Sequence, residues 1–234
     1  RDEGAGVAAG PKKLSGTMVG SMTVDDPAPL PSLPPMPPRQ VRTITAYTGS
    51  AVGSDAVYSE AVRRLAVAIA QRGIDIVYGG GKVGLMGVLA DSALHAGGTV
   101  RGVIPQSLVE GEIGHPGLSS LDVVDDMHQR KNAMAEDGDA FVALPGGAGT
   151  LEELFETWTW QQLGLHSKPV ALYNVNGFWN PLLDLLDHMV EEGFLSEKLR
   201  HSLVIESEPE PLLEALTRWQ PVSYTHLRAH ETRH

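Results

Sequence analysis

The sequence predicts an α/β protein with a Rossmann-like three-layer fold, in which a mostly parallel sheet lies between two layers of helices. Short apolar segments alternate along the chain with amphipathic stretches of roughly 10–15 residues, a pattern typical of βαβ units. Glycines stand where several amphipathic stretches end and where several apolar segments lead into the next helix. Together these observations favour parallel strands joined by right-handed helical crossovers.

The first half of the domain contains three strand segments and the helices between them. The helix predicted at 59–73 carries apolar residues at helical spacing and ends at Gly73, and the helix predicted at 85–95 ends at Gly97. Each helix joins one apolar segment to the next, as a crossover between parallel strands must. The strands predicted here are 41–47, 74–79 and 99–105.

The second half repeats the pattern. The helix predicted at 127–138 ends at Gly138, and the helix predicted at 150–164 carries its large apolar residues on one face. Further amphipathic helices are predicted at 180–193 and near 209–219. The strands predicted here are 121–126, 139–147 and 168–175, and the short apolar segment 204–206 precedes the last helix.

The chain of 234 residues divides by composition into one folded Rossmann-like domain, 41–221, and two flanking segments. Residues 27–38 hold seven of the 16 prolines and favour polyproline II over helix or sheet, so we expect 1–40 to be disordered. Residues 222–234 contain three histidines spaced four apart, as a zinc-binding helix could have. Because this segment has almost no apolar residues and follows a proline, we expect a non-native tail instead.

Composition and charge exclude several classes of function. The chain has no cysteine, which rules out disulfides, Cys-ligated zinc, iron–sulfur clusters and a cysteine nucleophile. A formal net charge of −11 disfavours a nucleic-acid groove, which needs a basic stripe, but allows a small anionic ligand held by a few local groups. No apolar run approaches the roughly 18 residues of a membrane span, and no signal-peptide core is apparent, so we expect a cytoplasmic protein without membrane contact.

Glycines cluster first at 79–84, between a predicted strand and a predicted helix. The segment GGGKVG matches G-x-G-x-x-G in the context that a dinucleotide-binding turn requires. No acidic residue follows about 20 residues on to bind a ribose hydroxyl, which disfavours NAD, and Lys82 precedes Val83, not the Ser or Thr of a P-loop. Two interpretations stay open: a tight, closely packed turn, or a loop beside a bound nucleotide that includes Gly80 and Gly81.

A second glycine cluster, PGGAGTLEE at 145–153, follows the most apolar predicted strand and leads directly into a helix. Its backbone amides and the helix N-terminus can converge on an anion such as a phosphate. Thr150 and Glu153 stand at the spacing of a capping box, so one interpretation gives them a purely structural role. The other places Thr150 on a phosphate oxygen and Glu153 beside the sugar of a nucleotide.

Two adjacent cations, Arg130 and Lys131, lie near the start of the helix predicted at 127–138. Cations are unfavourable near a helix N-terminus because of the helix dipole. Their position in an acidic chain therefore predicts an anion or a carboxylate as their partner. A solvated basic helix face is the alternative.

These motifs, together with VYGGG at 77–81, GLMG at 84–87 and LGLHSKP at 163–169, resemble those of the LOG family over residues 42–200. Members of that family are cytokinin riboside 5'-monophosphate phosphoribohydrolases, once described as lysine decarboxylases. The resemblance implies a Rossmann-like fold and a homodimer. It also implies hydrolysis of the N-glycosidic bond of N6-substituted adenosine monophosphates, and of AMP, to a free base and ribose 5-phosphate.

The resemblance marks Arg130 and Glu153 as the catalytic pair. Ala148 departs from the family pattern, which commonly has an aromatic residue between the glycines, and Thr48 stands where a Cys often precedes the first Gly-Ser. His, Asp and Glu do not cluster at metal-ligand spacing, so we expect no metal, and no cofactor is implied. The implied substrate-binding residues are Gly80, Gly81, Glu112, Lys131, Gly147, Ala148, Gly149, Thr150, Leu151, Glu152 and Thr159.

In the implied mechanism, Glu153 stabilises positive charge on the ribose ring or activates water, and Arg130 donates hydrogen bonds to the departing base. We expect a bidentate pair with Arg130 to hold the pKa of Glu153 low and keep the carboxylate ionised. Two other functions stay open. A decarboxylase would need pyridoxal phosphate on a Schiff-base lysine, for which no motif is apparent. A nucleotide-binding module without catalysis would share the fold.

Overall fold

A computed structural model of the protein describes residues 39–110 and 114–221. Nearly all of the N-terminal segment 1–40, the tail 222–234 and Glu112 lie outside the described residues. The domain expected at 41–221 is therefore described almost completely. In the part of the chain that is described, no helix is long and apolar enough to cross a membrane.

Strands and helices alternate along the chain as the sequence predicts. The strands are β1 Thr43–Tyr47, β2 Asp75–Tyr78, β3 Val100–Pro105, β4 Ser120–Val124, β5 Ala140–Ala143, β6 Val170–Tyr173 and β7 Leu203–Glu206. The helices are α1 Ala56–Gln71, α2 Gly84–His95, α3 Gln106–Glu110, α4 Met127–Asp137, α5 Ala148–Gln162, α6 Asn180–Glu191, α7 Glu197–Arg200 and α8 Pro209–Arg218. A short 3-10 turn, Val175–Gly177, follows β6.

These seven strands form one sheet in the order β4-β3-β2-β1-β5-β6-β7, and every neighbouring pair is parallel. The predicted mostly parallel sheet is thus confirmed. The central strand β1 pairs with β2 on one side and β5 on the other, so that Thr45 lies between Val77 and Phe141. The chain order reverses between β1 and β5. In open parallel sheets, ligands bind in the crevice that forms at such a reversal, outside the carboxyl ends of the strands.

Helices cover both faces of the sheet and complete the three layers. On one face, Leu65 of α1 and Leu89 of α2 are buried together with apolar residues of α8. On the other face, Leu154 of α5 is buried with residues of α4, α6 and α7. Side chains of β2 alternate between the two layers, Ile76 packing with the first and Val77 with the second, as the two-residue period of a strand requires.

Local hydrogen bonds explain where the boundaries differ from the predicted ones. α1 starts at Ala56, three residues before the predicted start, because Asp55 accepts a hydrogen bond from the backbone N–H of Val57 at 2.9 Å. β5 ends at Ala143, four residues earlier than predicted, because the chain leaves the sheet to form the loop before α5. The short helices α3 and α7, of five and four residues, were not predicted, since so few residues show no helical period.

Candidate active site

The loops that follow β1 and β5 meet where the strand order reverses. The N–H of Gly49 donates a hydrogen bond to the carbonyl of Pro145 at 3.1 Å, and a Cβ built on Gly49 would lie 3.1 Å from the Cα of Gly146. The two backbones approach this closely because neither glycine carries a side chain. A cavity of about 290 Å³ opens beside the contact, with Tyr58 and Phe178 on its wall.

The N-terminus of α5 adjoins this cavity. Gly147 lines the cavity and is the N-cap residue, and within residues 39–110 and 114–221 no side chain caps the helix. The first backbone N–H groups of a helix have no partner inside the helix, so here they remain available as donors. Gly147, Ala148 and Gly149 are exposed, which leaves the donors accessible. This arrangement suits a phosphate, although the binding roles of these residues stay predictions.

The capping-box interpretation of Thr150 and Glu153 is wrong. α5 begins at Ala148, two residues before the predicted start, with Gly147 as N-cap, so Thr150 lies inside the first turn. Thr150 is buried, and a Cβ built on Gly146 would lie 2.1 Å from its Oγ1. The hydroxyl therefore packs against the glycine loop, and the Glu153 side chain serves another purpose than capping.

Arg130 of α4 and Glu153 of α5 form a buried ion pair. Nη2 of Arg130 lies 3.4 Å from Oε1 of Glu153, and the two side chains are 12% and 11% exposed. The pair is looser than the bidentate one that we expected. Among the described residues, the buried Nε of Arg130 has no hydrogen-bond partner, and Nη1 lies 3.5 Å from Sδ of Met127, a weak acceptor. A buried donor without a partner is costly, and contact of Arg130 with a ligand stays a prediction.

Burial, more than the arginine, determines the ionisation of Glu153. Removal from water raises the pKa of its carboxyl from 4.5 to about 7, although the charge of Arg130 acts to lower it and that of Glu152 raises it again. The expectation that Arg130 keeps this pKa low is therefore wrong in direction, because Glu153 is only 9% exposed. Protonated and ionised forms of the carboxyl are both well populated at neutral pH.

Lys131 is held by two carboxylates of α5. Its Nζ donates hydrogen bonds to Glu152 at 2.6 Å and to Glu156 at 3.1 Å, and the bond to Glu152 raises the pKa of Lys131. Asp126 caps α4 by accepting two backbone N–H bonds at 2.8 Å, which supports the helix start that the cations weaken. Both cations thus have the carboxylate partners that the sequence predicted. Substrate binding by Lys131 and Glu152, which pair with each other, stays a prediction.

The glycines after β2 form a closely packed turn. Gly80 has a φ of 74°, its carbonyl accepts a hydrogen bond from the N–H of His115 at 2.9 Å, and a Cβ on it would lie 3.2 Å from the Cβ of Ile104. The hydroxyl of Tyr78 donates to the carbonyl of Gly81 at 2.9 Å. These contacts favour the packing interpretation of the first glycine cluster. Contact of Gly80 and Gly81 with a nucleotide stays a prediction.

One buried polar residue beside the pair was not singled out from the sequence. Tyr47 ends β1, is 3% exposed, and its ring stacks on Phe141 with centroids 6.1 Å apart. Burial raises the pKa of its hydroxyl, and the charge of Glu153 raises it further. A hydroxyl at the end of an apolar strand, directly before a glycine loop, was the signal in the sequence.

Other predicted binding residues lie farther from the ion pair. Leu151 packs against the apolar layer of α4 to α7, and Thr159 is exposed, six residues beyond Glu153 and so about 9 Å along the helix axis. Glu112 falls in the segment between the described ranges. Across those ranges, no group of three or more His, Asp or Glu side chains is placed to hold a metal ion.

Curated proteins from plants and a bacterium are similar to this chain over most of its length. A probable cytokinin riboside 5'-monophosphate phosphoribohydrolase of Oryza sativa subsp. japonica is 46% identical over 180 residues, which are 77% of this chain and 74% of the relative. A cytokinin riboside 5'-monophosphate phosphoribohydrolase of Arabidopsis thaliana is 45% identical over 180 residues, 77% of this chain and 84% of the relative. One from Rhodococcoides fascians is 46% identical over 176 residues, 75% of this chain and 89% of the relative.

Solved structures and a family model complete the comparison. The Moco carrier protein of Chlamydomonas reinhardtii has a TM-score of 0.58 at 18% identity, covering 77% of this chain and 98% of its own. The molybdenum cofactor binding protein of Rippkaea orientalis has a TM-score of 0.55 at 22% identity, covering 74% and 91%. At these identities the likeness shows the fold alone.

Residues 86–216 match the family model described as possible lysine decarboxylase. Since this model spans more than half of the chain, and the curated relatives three quarters of it, the chain belongs to that family, the LOG family.

Proposed function

We propose that this protein is a hydrolase that cleaves the N-glycosidic bond of N6-substituted adenosine 5'-monophosphates and of AMP, releasing the base and ribose 5-phosphate. The observation that carries the proposal is the buried ion pair of Arg130 and Glu153, in which Glu153 lies in the second turn of a helix that begins at a glycine N-cap. Curated relatives that are 46% identical over 176–180 residues are named as cytokinin riboside 5'-monophosphate phosphoribohydrolases, which supports the proposal.

Helix α5 sets the spacing between a phosphate and the reacting carbon. Thr150 and Glu153 are three residues apart, so they lie on the same face of the helix, about 4.5 Å apart along its axis. A 5'-phosphate held by the amides from Gly147 to Thr150 directs its ribose along this face towards Glu153. The guanidinium of Arg130, whose Nε has no partner among the described residues, pairs with the same carboxylate through Nη2. One helix thus carries both the subsite for the phosphate and the group that acts on C1'.

In the proposed reaction, the bond between C1' and the base nitrogen breaks and its electron pair leaves with the base. The ribose ring gains positive charge, which the ionised carboxylate of the buried Glu153 stabilises. Water adds to C1' and gives up a proton, for which Glu153 is the nearby acceptor. Arg130 donates hydrogen bonds that offset the negative charge on the departing base. The base finally takes up the proton that Glu153 accepted from water, which returns Glu153 to its ionised form.

A decarboxylase that uses pyridoxal phosphate, the activity in the family description, fits the lysines less well. A Schiff base forms from an uncharged amine, whereas the hydrogen bond to Glu152 raises the pKa of Lys131 and favours its charged form. Burial lowers the pKa of Lys168, but its amine donates hydrogen bonds to the carbonyls of Ala135 and Glu136 at the end of α4. Both amines therefore already donate hydrogen bonds within the protein, which does not favour a Schiff base on either lysine.

A substrate panel tests the proposal directly. AMP and N6-isopentenyl-AMP are expected to release base and ribose 5-phosphate, whereas the two nucleosides without phosphate should react roughly 10²-fold more slowly in kcat/KM, because the phosphate subsite positions the reacting carbon. Chromatography measures the base, and a coupled assay measures ribose 5-phosphate. Nucleosides that react as fast as nucleotides would contradict the phosphate subsite. AMP that binds without yielding ribose 5-phosphate would identify a nucleotide-binding module instead.

The pH dependence of the rate is expected to follow the carboxyl of Glu153. Only the ionised form stabilises a cation or accepts a proton, so kcat/KM for AMP should be constant above the carboxyl pKa of about 7. Below it, the rate should fall about tenfold per pH unit. The phosphate of AMP titrates near pH ~6, so a fall that begins only there would point to the substrate. A rate that falls towards alkaline pH would instead make Glu153 a general acid.

Three finer statements complete the proposal and stay predictions. The family resemblance implies a homodimer, and we expect a cytoplasmic location. The ratio of kcat/KM for N6-isopentenyl-AMP to that for AMP decides which nucleotide is preferred. A ratio far above one would indicate a pocket shaped for the N6 substituent, and a ratio near one would indicate a general AMP hydrolase.

A further inference from the structure

Gly79, the first residue after β2, lies directly beneath the guanidinium of Arg130. A Cβ built on Gly79 would lie 2.0 Å from Nη2 of Arg130, 3.0 Å from its Cζ and 3.5 Å from its Nε. Real Cβ atoms essentially never approach another heavy atom within 3.0 Å. The three nearest atoms all belong to one guanidinium, so the side chain that Gly79 lacks would occupy the place of Arg130.

The backbone gives no reason for glycine at this position. The glycines with positive φ include Gly80 at 74° and Gly84 at 60° but not Gly79. The φ at 79 therefore does not by itself require glycine. An alanine there fits the backbone, and its closest conflict is with the far end of the flexible Arg130 side chain.

We propose that Gly79 is a positioning residue. Because it lacks a side chain, it leaves a space, here called the seat, in which Nη2 of Arg130 is held next to Glu153. Nη2 is both the atom nearest to a Cβ at 79 and the atom 3.4 Å from Oε1 of Glu153. Hydrogen bonds restrain the guanidinium little, since Nη1 contacts Sδ of Met127 at 3.5 Å and Nε has no partner among the described residues. The shape of the seat fixes the guanidinium instead. The inference rests on the proposed function, in which Arg130 and Glu153 act together.

Gly79→Ala is expected to leave folding intact and to lower kcat for AMP by about 10²-fold, the typical cost of misplacing a reacting group by an ångström. KM should change far less, because α5 and its N-terminus are untouched. The acid limb of the pH–rate profile should move to higher pH, since Arg130 no longer lowers the pKa of Glu153 as effectively. The charges of Glu152, Lys131 and Glu156 also act on Glu153 and are unchanged by the substitution.

Two control proteins isolate the contact with Nη2. Gly117→Ala places a methyl group at an exposed turn, where the nearest atom is 3.4 Å away, and should keep wild-type kcat. In an Arg130→Lys background, where Nη2 is absent, Gly79→Ala should change kcat by less than about twofold, because the two substitutions act through one contact. A crystal structure of Gly79→Ala should show the Arg130 guanidinium displaced from Glu153.

The outcomes separate the seat from the proposed function. If Gly79→Ala keeps wild-type kcat, or lowers kcat by the same factor in both backgrounds, the seat is overturned while the hydrolase stands. If the wild-type protein forms no ribose 5-phosphate, the proposed function fails. The role of Gly79 as the seat is then tested only by the crystal structure of Gly79→Ala. A guanidinium still 3.4 Å from Glu153 in Gly79→Ala would then overturn it.

Discussion

Glu153→Gln is expected to lower kcat for AMP by about 10²- to 10⁴-fold, the range typical of a lost general acid–base group. The substitution keeps the size and shape of the side chain but removes the charge that stabilises the ribose cation and the oxygen that accepts a proton from water. KM should change little, because the proposed phosphate subsite lies more than one turn away, at the start of α5. Release of ribose 5-phosphate from saturating AMP gives kcat.

Folding cannot account for that loss, because the substitution is expected to stabilise the protein. The pKa of Glu153 is raised from 4.5 to about 7 on folding, so the folded state binds this proton more tightly and loses stability as pH rises through that window. Above the window, Glu153→Gln should raise the free energy of unfolding by on the order of 3 kcal/mol relative to wild type. Near pH ~4 the two proteins should be equally stable, and thermal unfolding at several pH values measures the difference.

A neighbouring carboxylate on the same helix supplies the matched control for this substitution. Glu156→Gln, which removes one of two hydrogen bonds to Lys131, should retain kcat within a few-fold of wild type. An equal loss in both variants would assign the effect to the charge network as a whole. Wild-type turnover by Glu153→Gln would refute the role of the carboxylate.

Arg130→Ala is expected to lower kcat for AMP by about 10²- to 10³-fold, the cost of removing one donor that stabilises developing charge. The departing base then loses its hydrogen-bond donors. The pKa of Glu153 also loses the largest influence that lowers it, so the acid limb of the pH–rate profile should move to higher pH. Rates measured across the pH range separate the two effects, since only the second is recovered by working at high pH.

Arg130→Lys distinguishes charge from geometry at the same position. A lysine retains the positive charge but lacks the planar fork of donors, so the variant should restore much of the pH profile and little of kcat at its plateau. A lysine variant with full activity would show that charge alone is required. An alanine variant with full activity would remove Arg130 from the mechanism.

The order of strands and helices was predictable because it depends on local periodicity. The apolar runs and the glycines after the helices appear directly in the sequence, and right-handed crossovers then lead to a parallel sheet. The start of α5 was misplaced because a Thr–Glu spacing suggests a cap, whereas Gly147 holds that position without any side chain. The short helices α3 and α7 gave no periodic signal.

The candidate site was predictable in its residue types but not in its energetics. Arg130 and Glu153 could be paired from charge and resemblance, and the structure brings them within 3.4 Å. The pKa of Glu153 was misjudged because burial is a tertiary property, set by how α4 and α5 pack on the sheet. Gly79 was overlooked as part of the site, since a glycine after a strand ordinarily indicates only a turn.

The central position of β1 has a consequence for the order in which a growing polypeptide becomes active. Domains are made from the N-terminus onwards, so β1, β2 and β3 emerge from the ribosome well before β5. At that stage Gly79 is in place, but one side of the middle strand still lacks its neighbour. Glu153 arrives only with α5, after β5 has been added beside β1. A nascent chain therefore acquires the pair of Arg130 and Glu153 late, when both halves of the sheet have joined.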